Sequence, residues 1–446
     1  MVPFSSTRSA GSGTCAQAAA GKTRSSIARR PLRSMNVRMG GRELGAANRR
    51  AVKAQSRASP RLLHPRRPLV LMCIRRGFCR QAILMAFVPL AGPLLANAPA
   101  RAGDETSAQT ANTYVYVSMA PEQKIQVYRL NAADGSLAAV ETLPVEGTPG
   151  ALAVDPRKKF LFASHRNTST LASYQIDPAT GKLRRLSTAQ LPMGQNAANL
   201  STDRTGRWLL SASYAGGTVV VHPLSEDGMI QTPAVQTITT APTAHCIAID
   251  RENRFVLVPH VAPNAVFQFR LDAAKGQLSE AGKAPGGMDK AGPRHLAFHP
   301  TKNIAFTSDE QGSSITSYAY DPAIGLKPQQ TLSTLPAGFT GQNTTADVKV
   351  HPSGKFVWVS NRGHDSLAGF AVDGSGQLSL LGHTPTEKTP RSFEIDPSGR
   401  IALGAGEGSG KLAVFQIDPD TGQLTRLRTL DVGQSLTWVL AVKLDR

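Results

Sequence analysis

From Thr113 onward, apolar and polar residues alternate in short runs, each bounded by Gly, Pro, Asn or Asp. The clearest stretch reads Ala346–Val350, a turn H-P-S-G-K (351–355), Phe356–Ser360 and a loop N-R-G-H-D-S (361–366). Leu367–Val372, a glycine turn and a last run from Ser379 to Gly382 follow. β-Branched and aromatic runs with such boundaries predict strands joined by hairpins. No window of about 11 residues carries a helical period, so the chain reads as all-β.

The strand pattern repeats. A turn of the form Asp-x-x-x-Gly-x-Leu, or a near relative, recurs with its glycine at Gly135, Gly181, Gly228, Gly276, Gly325, Gly376 and Gly422. These glycines stand 46, 47, 48, 49, 51 and 46 residues apart, which marks one supersecondary unit used seven times. A second marker keeps step: Asp155, Asp203, Asp250, His299, His351 and Asp396 each end the first strand of a unit. A seventh such strand, Thr437–Leu444, ends at Asp445, yet the first unit opens at Thr113 directly on a second-strand pattern, T-Y-V-Y-V-S. The last strand supplies what the first unit lacks. The arithmetic predicts a seven-bladed β-propeller closed by pairing of its N- and C-terminal strands, which removes exposed edges. An open solenoid would not need the missing strand returned, and WD40 and kelch signatures are absent.

The formal net charge of +19 suggests a nucleic-acid binder until its distribution is read. Residues 1–102 hold 19 Lys and Arg against one acid, Glu43, leaving 31 basic and 30 acidic residues for 103–446. The repeat region is nearly neutral, which excludes a basic face for phosphate backbones and hence a nucleic-acid partner. From Met72 the chain reads M-C-I-R-R-G-F-C-R, then an apolar stretch from Ala82 to Ala96, then A-R-A before Gly103. Basic, apolar and small-residue regions in that order predict an export signal over 72–102. Arg75-Arg76 followed by Gly77-Phe78 resembles the twin-arginine signature, so a periplasmic or secreted protein is expected. Pro89 and Pro93 make the apolar stretch too short and kinked to span a membrane. Residues 1–71 read as disordered, translated upstream sequence or a mis-chosen start; an organellar transit peptide fits their Arg and Ser content but not the internal signal. The domain expectation is thus 1–71 upstream segment, 72–102 signal and 103–446 propeller, as a monomer. Cys15, Cys73 and Cys79 leave with the N-terminus, and Cys246 is expected as a packed core thiol.

In an up-and-down blade, the start of the first strand and the end of the second share a rim, so residues about 15 apart meet there. Thr243-Ala244-His245 is predicted to face Pro259-His260, and G-P-R-H (292–295) to face S-D-E-Q (308–311). Thr345-Ala346-Asp347 faces S-N-R-G-H-D-S (360–366), and T-P-R-S-F (389–393) faces Gly406-Glu407. One rim thereby collects His245, Arg294, His295, Glu310, Asp347, Arg362, His364 and Arg391. Such clusters of Arg, carboxylate and imidazole bind anions and poise acids and bases, although any one of these residues alone is more readily read as a loop brace. His299 and His351 fall on the opposite rim as turn residues; His165, His222 and His383 read as surface or packing residues. No H-x-x-E-H, C-x-x-C, EF-hand or G-x-S-x-G motif occurs, so neither a metal, a cofactor nor a serine nucleophile is expected.

At these residues the chain resembles the seven-bladed propeller lactonases, the propeller-type 6-phosphogluconolactonases and their relative the fungal carboxy-muconate lactonizing enzyme. The resemblance covers Thr113 to Leu444. It rests on T-A-H (243–245), A-G-P-R-H-L-A-F-H-P (291–300), D-E-Q-G-S-S-I (309–315), A-D-V-K-V-H-P-S-G (346–354), S-N-R (360–362) and P-R-S-F-E-I-D-P-S-G (390–399). It implies a funnel lined by His245, Arg294, Glu310, Arg362 and Arg391. The chain departs from the family at H-V-A-P-N-A (260–265), where an Asp-x-x-x-Asp-Arg-like loop is common, at Lys349 in place of His, and at Gly406 in place of Asn. The resulting expectation is a sugar-lactone hydrolase that needs no metal. Glu310 would act as base or water-orienting group, with His245 the alternative; Arg294 would polarise the carbonyl; Arg362, Arg391, His295 and Asp347 would hold the small-molecule lactone. A muconate-type cycloisomerase and an exported binding scaffold are the rival readings.

Overall fold

The computed structural model describes residues 112–192 and 194–445; the segment 1–71 and the export signal expected over 72–102 lie outside the described residues. The described chain forms seven four-stranded antiparallel sheets and no helix. Six blades use four consecutive strands each, with the first innermost. The remaining blade takes its inner strand, Leu436–Lys443, from the C-terminus and pairs it with Thr113–Met119, in a register from Thr113–Lys443 to Met119–Leu436. Inner strands of neighbouring blades pack on one another around a central channel.

The two sequence markers have physical causes. Asp155 Oδ1 accepts the amides of Lys159 and Phe160, each at 2.7 Å, and so closes the turn between inner and second strand. Asp203, Asp250 and Asp396 repeat this in their own blades. His299 and His351 brace the near side of the same turn instead, with Nδ1 accepting from Lys302 N at 2.9 Å and from Ser353 N at 3.1 Å. The repeated glycines key each blade to the one before it. Gly181 has φ +71° and a side chain there would lie 2.3 Å from the ring of Tyr114 in the first blade. Gly228, at φ +82°, meets Phe160 of the second blade at the same distance. The left-handed backbone disfavours a Cβ and the touching ring excludes one.

Between blades the two faces interdigitate in separate apolar clusters, such as Tyr114, Tyr116, Leu152, Leu161, Tyr174 and Val442. Cys246 is a free, buried thiol packed with Phe255, Leu257, Leu296 and Tyr318, as expected. The fourth inner strand is shorter than its sequence suggests, reduced to Ala248–Ile249. Ahead of it, the amide of Ile247 turns aside to Asn199 Oδ1 of the third blade at 3.2 Å, leaving the ladder.

Candidate active site

The predicted pairings across one rim are all present. Ala244 bridges His260; Pro293 and His295 pair with Asp309 and Ser308; Thr345 pairs with Asn361; Pro390 pairs with Gly406. What the sequence does not show is a bulge at the start of nearly every inner strand. Register slips between Pro293 and His295 and between Pro390 and Ser392 leave Arg294 and Arg391 as extra residues on their strands. Comparable slips release Gly150-Ala151, Ala198, Ala346-Asp347 and Thr437. A bulge breaks the ladder and re-aims its side chain. Here the bulges form a ring at one end of the channel. Gly150, Ala151, Ala198, Arg294, Arg391 and Thr437 line a small cavity there together with Arg166, His245, His295 and Trp438.

Two ion-paired clusters sit at this end. Glu310 lies between two guanidiniums, its Oε2 3.1 Å from Arg294 Nε and its Oε1 3.2 Å from Arg362 Nη2. Arg294 is 1 % exposed, and its Nη1 donates to the carbonyl of Ala346 at 2.6 Å, while Arg362 donates to that of Thr345. The Arg294 Nε–Glu310 Oε2 contact lacks a hydrogen bond's alignment, which leaves both atoms able to serve a ligand. Arg391 approaches Glu407 at 3.6 Å. Burial, reinforced by Arg362 and Arg391, pulls the Arg294 pKa below its ordinary value, whereas Glu310 opposes the shift. A site that strains this guanidinium favours an added negative charge.

His245 is buried between Tyr214 and His295, with ring centroids 5.4 and 5.1 Å away. Burial, then Arg294 and His295, hold its pKa well below the usual imidazole range, so it is neutral near pH 7. Its Nδ1 has no hydrogen-bond partner. His295 is neutral too, held at about 4 by burial and Arg294. Its Nδ1 pairs with Asp347 Oδ1 at 2.8 Å, and its Nε2 is buried without a partner.

Asp347 is occupied on all sides. It also accepts from Val348 N and Ser392 Oγ and stands 3.9 Å from Lys349 Nζ, which in turn pairs with Glu394 at 3.2 Å. Burial raises the Asp347 carboxyl, but Lys349 and His295 outweigh it and hold the group ionised. The structure therefore places Asp347 behind His295, as its orienting partner, and in no ion pair with the arginines. Lys349, at the position where the family pattern has His, belongs to this charged network further along the channel.

His364 leaves the cluster. Gly363 takes φ +129°, and the imidazole bonds Ser366 Oγ at 2.7 Å and packs edge-on against Phe339 in the outer loops. Three members of the site escape the sequence reading: Arg166, Tyr214 and Trp438. Arg166 and Tyr214 directly follow their second strands, as Glu310 and Glu407 do, so the same spacing rule extended to the second and third blades would have found them. Trp438, on the closing strand, packs 5.6 Å from His295. Among the described residues, no group of three or more His, Cys, Asp or Glu side chains is arranged to hold a metal ion.

A family model described as the seven-bladed β-propeller lactonase matches residues 99–196 and 187–441. The chain belongs to that family. It is similar to the 6-phosphogluconolactonase of Pectobacterium carotovorum subsp. carotovorum (strain PC1), with 37% identity over 334 residues, 74% of this chain and 99% of the relative. A 6-phosphogluconolactonase of Yersinia pestis (strain Pestoides F) is 35% identical over 328 residues, 73% of this chain and 96% of its own. Among solved structures, the Pseudomonas aeruginosa periplasmic gluconolactonase PpgL superposes with a TM-score of 0.69 at 28% identity, covering 75% of this chain and all of that one. The resemblance drawn from short motifs thus extends over the whole propeller, and the clustered residues occupy the channel mouth of a family fold.

Proposed function

We propose that this chain hydrolyses a sugar lactone at the bulge-ringed end of its channel, with the Arg294–Glu310–Arg362 cluster as the working centre. The observation that carries this reading is a buried arginine and a second guanidinium sharing one carboxylate beside a neutral imidazole. Ring opening needs an oriented water, a proton acceptor and positive charge where the carbonyl oxygen becomes an oxyanion. Arg294 and Arg362 supply donors and charge, the latter through a fork suited to oxyanions. Glu310, held by both, orients the water or takes its proton; His245, neutral and unpartnered, is the second candidate for that proton. Water oxygen bonds to the carbonyl carbon, the ring C–O bond breaks, and the proton passes to the departing ring oxygen to give a hydroxy acid. Arg391 contributes to holding the substrate, and the His295–Asp347 pair forms the floor.

Substrate names of the relatives, 6-phosphogluconolactone and gluconolactone, define the class to be tested. The upper cluster favours a lactone that carries an anionic group. Arg166, Arg294, Arg362 and Arg391 face only Glu310 and Glu407 among acids within ion-pair distance. Residues 72–102 act in this reading as an export signal, in keeping with a periplasmic relative of the same fold. No helix among the described residues is long and apolar enough to cross a membrane. A panel of neutral and anionic δ- and γ-lactones, followed by acid release in weakly buffered solution, tests the reading. Hydrolysis above the spontaneous rate is expected, and a flat response across the panel refutes it.

A further inference from the structure

Arg166 is the one guanidinium at the channel mouth without a partner among the described residues. Arg294 and Arg362 share Glu310, and Arg391 has Glu407, but no ion pair or side-chain hydrogen bond reaches Arg166. Its Nε is buried and unsatisfied. Burial, then Arg391, pulls its pKa down, with Glu407 too far to pair with it. The backbone is shaped to hold it there. The Arg166 stem lies across Gly150, where a Cβ would stand 3.0 Å from Cδ and 2.9 Å from Ser164 Oγ. Gly150 belongs to the ring of bulges, so the missing side chain clears the path by which Arg166 reaches the cavity it lines. An unpartnered, partly desolvated guanidinium in a cavity with two others is unfavourable until an anion fills it.

Resting on the lactone-hydrolase reading above, we propose that Arg166 is a specificity residue that grips an anionic substituent, phosphate or carboxylate, on the C6 arm of the sugar, which diverges from the lactone carbonyl. The blade order supports this division. Arg294 and Arg362 stand on the fifth and sixth blades around Glu310, whereas Arg166 stands on the second, across the channel mouth, with Arg391 of the seventh as its nearest charged influence. In a hexono-δ-lactone the carbonyl carbon and the carbon that bears the C6 arm flank the ring oxygen, and their exocyclic bonds diverge, so an anion on C6 stands well to the side of the carbonyl. The carbonyl therefore meets the Glu310 cluster while the anion on C6 meets Arg166.

The test compares kcat/KM for 6-phosphogluconolactone, a glucarolactone and gluconolactone in the wild type, Arg166→Gln, Arg166→Lys and His299→Asn, with melting curves to verify folding. Loss of one or two charge-assisted hydrogen bonds predicts that Arg166→Gln lowers the anionic-to-neutral ratio by roughly 10- to 100-fold, mainly through KM. Arg166→Lys keeps charge without the fork and should retain part of the ratio; it decides the matter if the Gln variant does not fold. His299→Asn should leave the ratio alone. Loss confined to the phosphate or to the carboxylate substrate identifies which anion is held, and either supports the assignment. An unchanged ratio in a folded Arg166 variant overturns it. If the wild type opens no lactone, the lactonase reading fails by itself, and calorimetric titration with 6-phosphogluconate and gluconate takes over. Affinity for either anion that is lost in Arg166→Gln sustains the anion site, and binding that is absent or unchanged in that variant overturns it.

Discussion

Ring closure by Leu436–Lys443 can be tested at one side chain. Leu436 is fully buried and packs with Val117, Met119, Leu403 and Ala405, so it joins the first and last blades. Truncation to Ala at such a site costs about 2–5 kcal/mol, the lost transfer energy plus that of the cavity. A propeller of this length has an unfolding entropy of roughly 0.7 kcal/mol/K, so Leu436→Ala should lower the Tm by about 3–7 °C. Ile324, 74% exposed in a turn, is the control, and its Ala variant should melt within about 1 °C of wild type. Removing residues 435–446 is the severe version. It takes away Leu436, Val439, Val442 and Leu444, all nearly inaccessible, at about 1.5–3 kcal/mol each. Their sum of about 6–12 kcal/mol matches the whole stability of a typical domain. It also leaves Thr113–Met119 as an open edge prone to intermolecular pairing. Calorimetric or circular-dichroism melts, with light scattering for aggregation, read both. A Leu436→Ala shift no larger than that of Ile324→Ala, or a soluble, cooperatively melting truncation, refutes the closure.

Acid should unfold the protein early. His165, His222, His260 and His295 are all buried with pKa near 4, held down by burial first. Because the unfolded chain takes up their protons near pH 6.5, stability should be level above that value and fall as pH drops towards 4, by about 3 kcal/mol per histidine; a chemical-denaturation midpoint unchanged between pH 7 and 4.5 would contradict this. Arg294→Lys keeps charge but loses the fork, and should lower kcat/KM for lactone opening by roughly 10-fold or more. His299→Asn, on the opposite rim, should leave the rate alone, and steady-state kinetics on both variants checks the pair. For export, the mature N-terminus is expected at or near Gly103, and Lys in place of Arg75 and Arg76 should retain the protein in the cytoplasm; N-terminal sequencing that finds residues 1–71 on the mature protein would refute it.

Much of the fold is legible because a propeller writes its geometry into period and alternation. The glycines at fixed spacing mark places where a left-handed turn touches a ring of the preceding blade, as Gly181 touches Tyr114. The Asp and His marker is a turn that must satisfy consecutive amides, and the missing first strand is simple counting. The cross-rim pairs follow from the same register. Bulges were not legible, because an extra residue such as Arg294 or Arg391 does not disturb the hydrophobic pattern around it. Those slips decide which side chains enter the channel. They explain why Asp347 ends behind His295, and a turn at Gly363 explains why His364 points elsewhere. Arg166 escaped for another reason: its blade has no carboxylate or histidine opposite it to draw notice, and its meaning lies in having no partner.

The central claim is that the carboxylate between Arg294 and Arg362 serves lactone hydrolysis, and the most direct measurement is kcat for Glu310→Gln against wild type. The substitution preserves size while removing the charge and turning one of the two accepting oxygens into an amide donor. Because Glu310 is the acid paired with buried Arg294 and with Arg362, the variant should lose some stability and is assayed below its own melting transition. Loss of an oriented base is worth roughly 100-fold or more, so kcat should fall by that factor at a temperature where the melting curve shows the variant folded. A folded Glu310→Gln enzyme that opens lactones at the wild-type rate would contradict the account and move the proton-accepting role to His245.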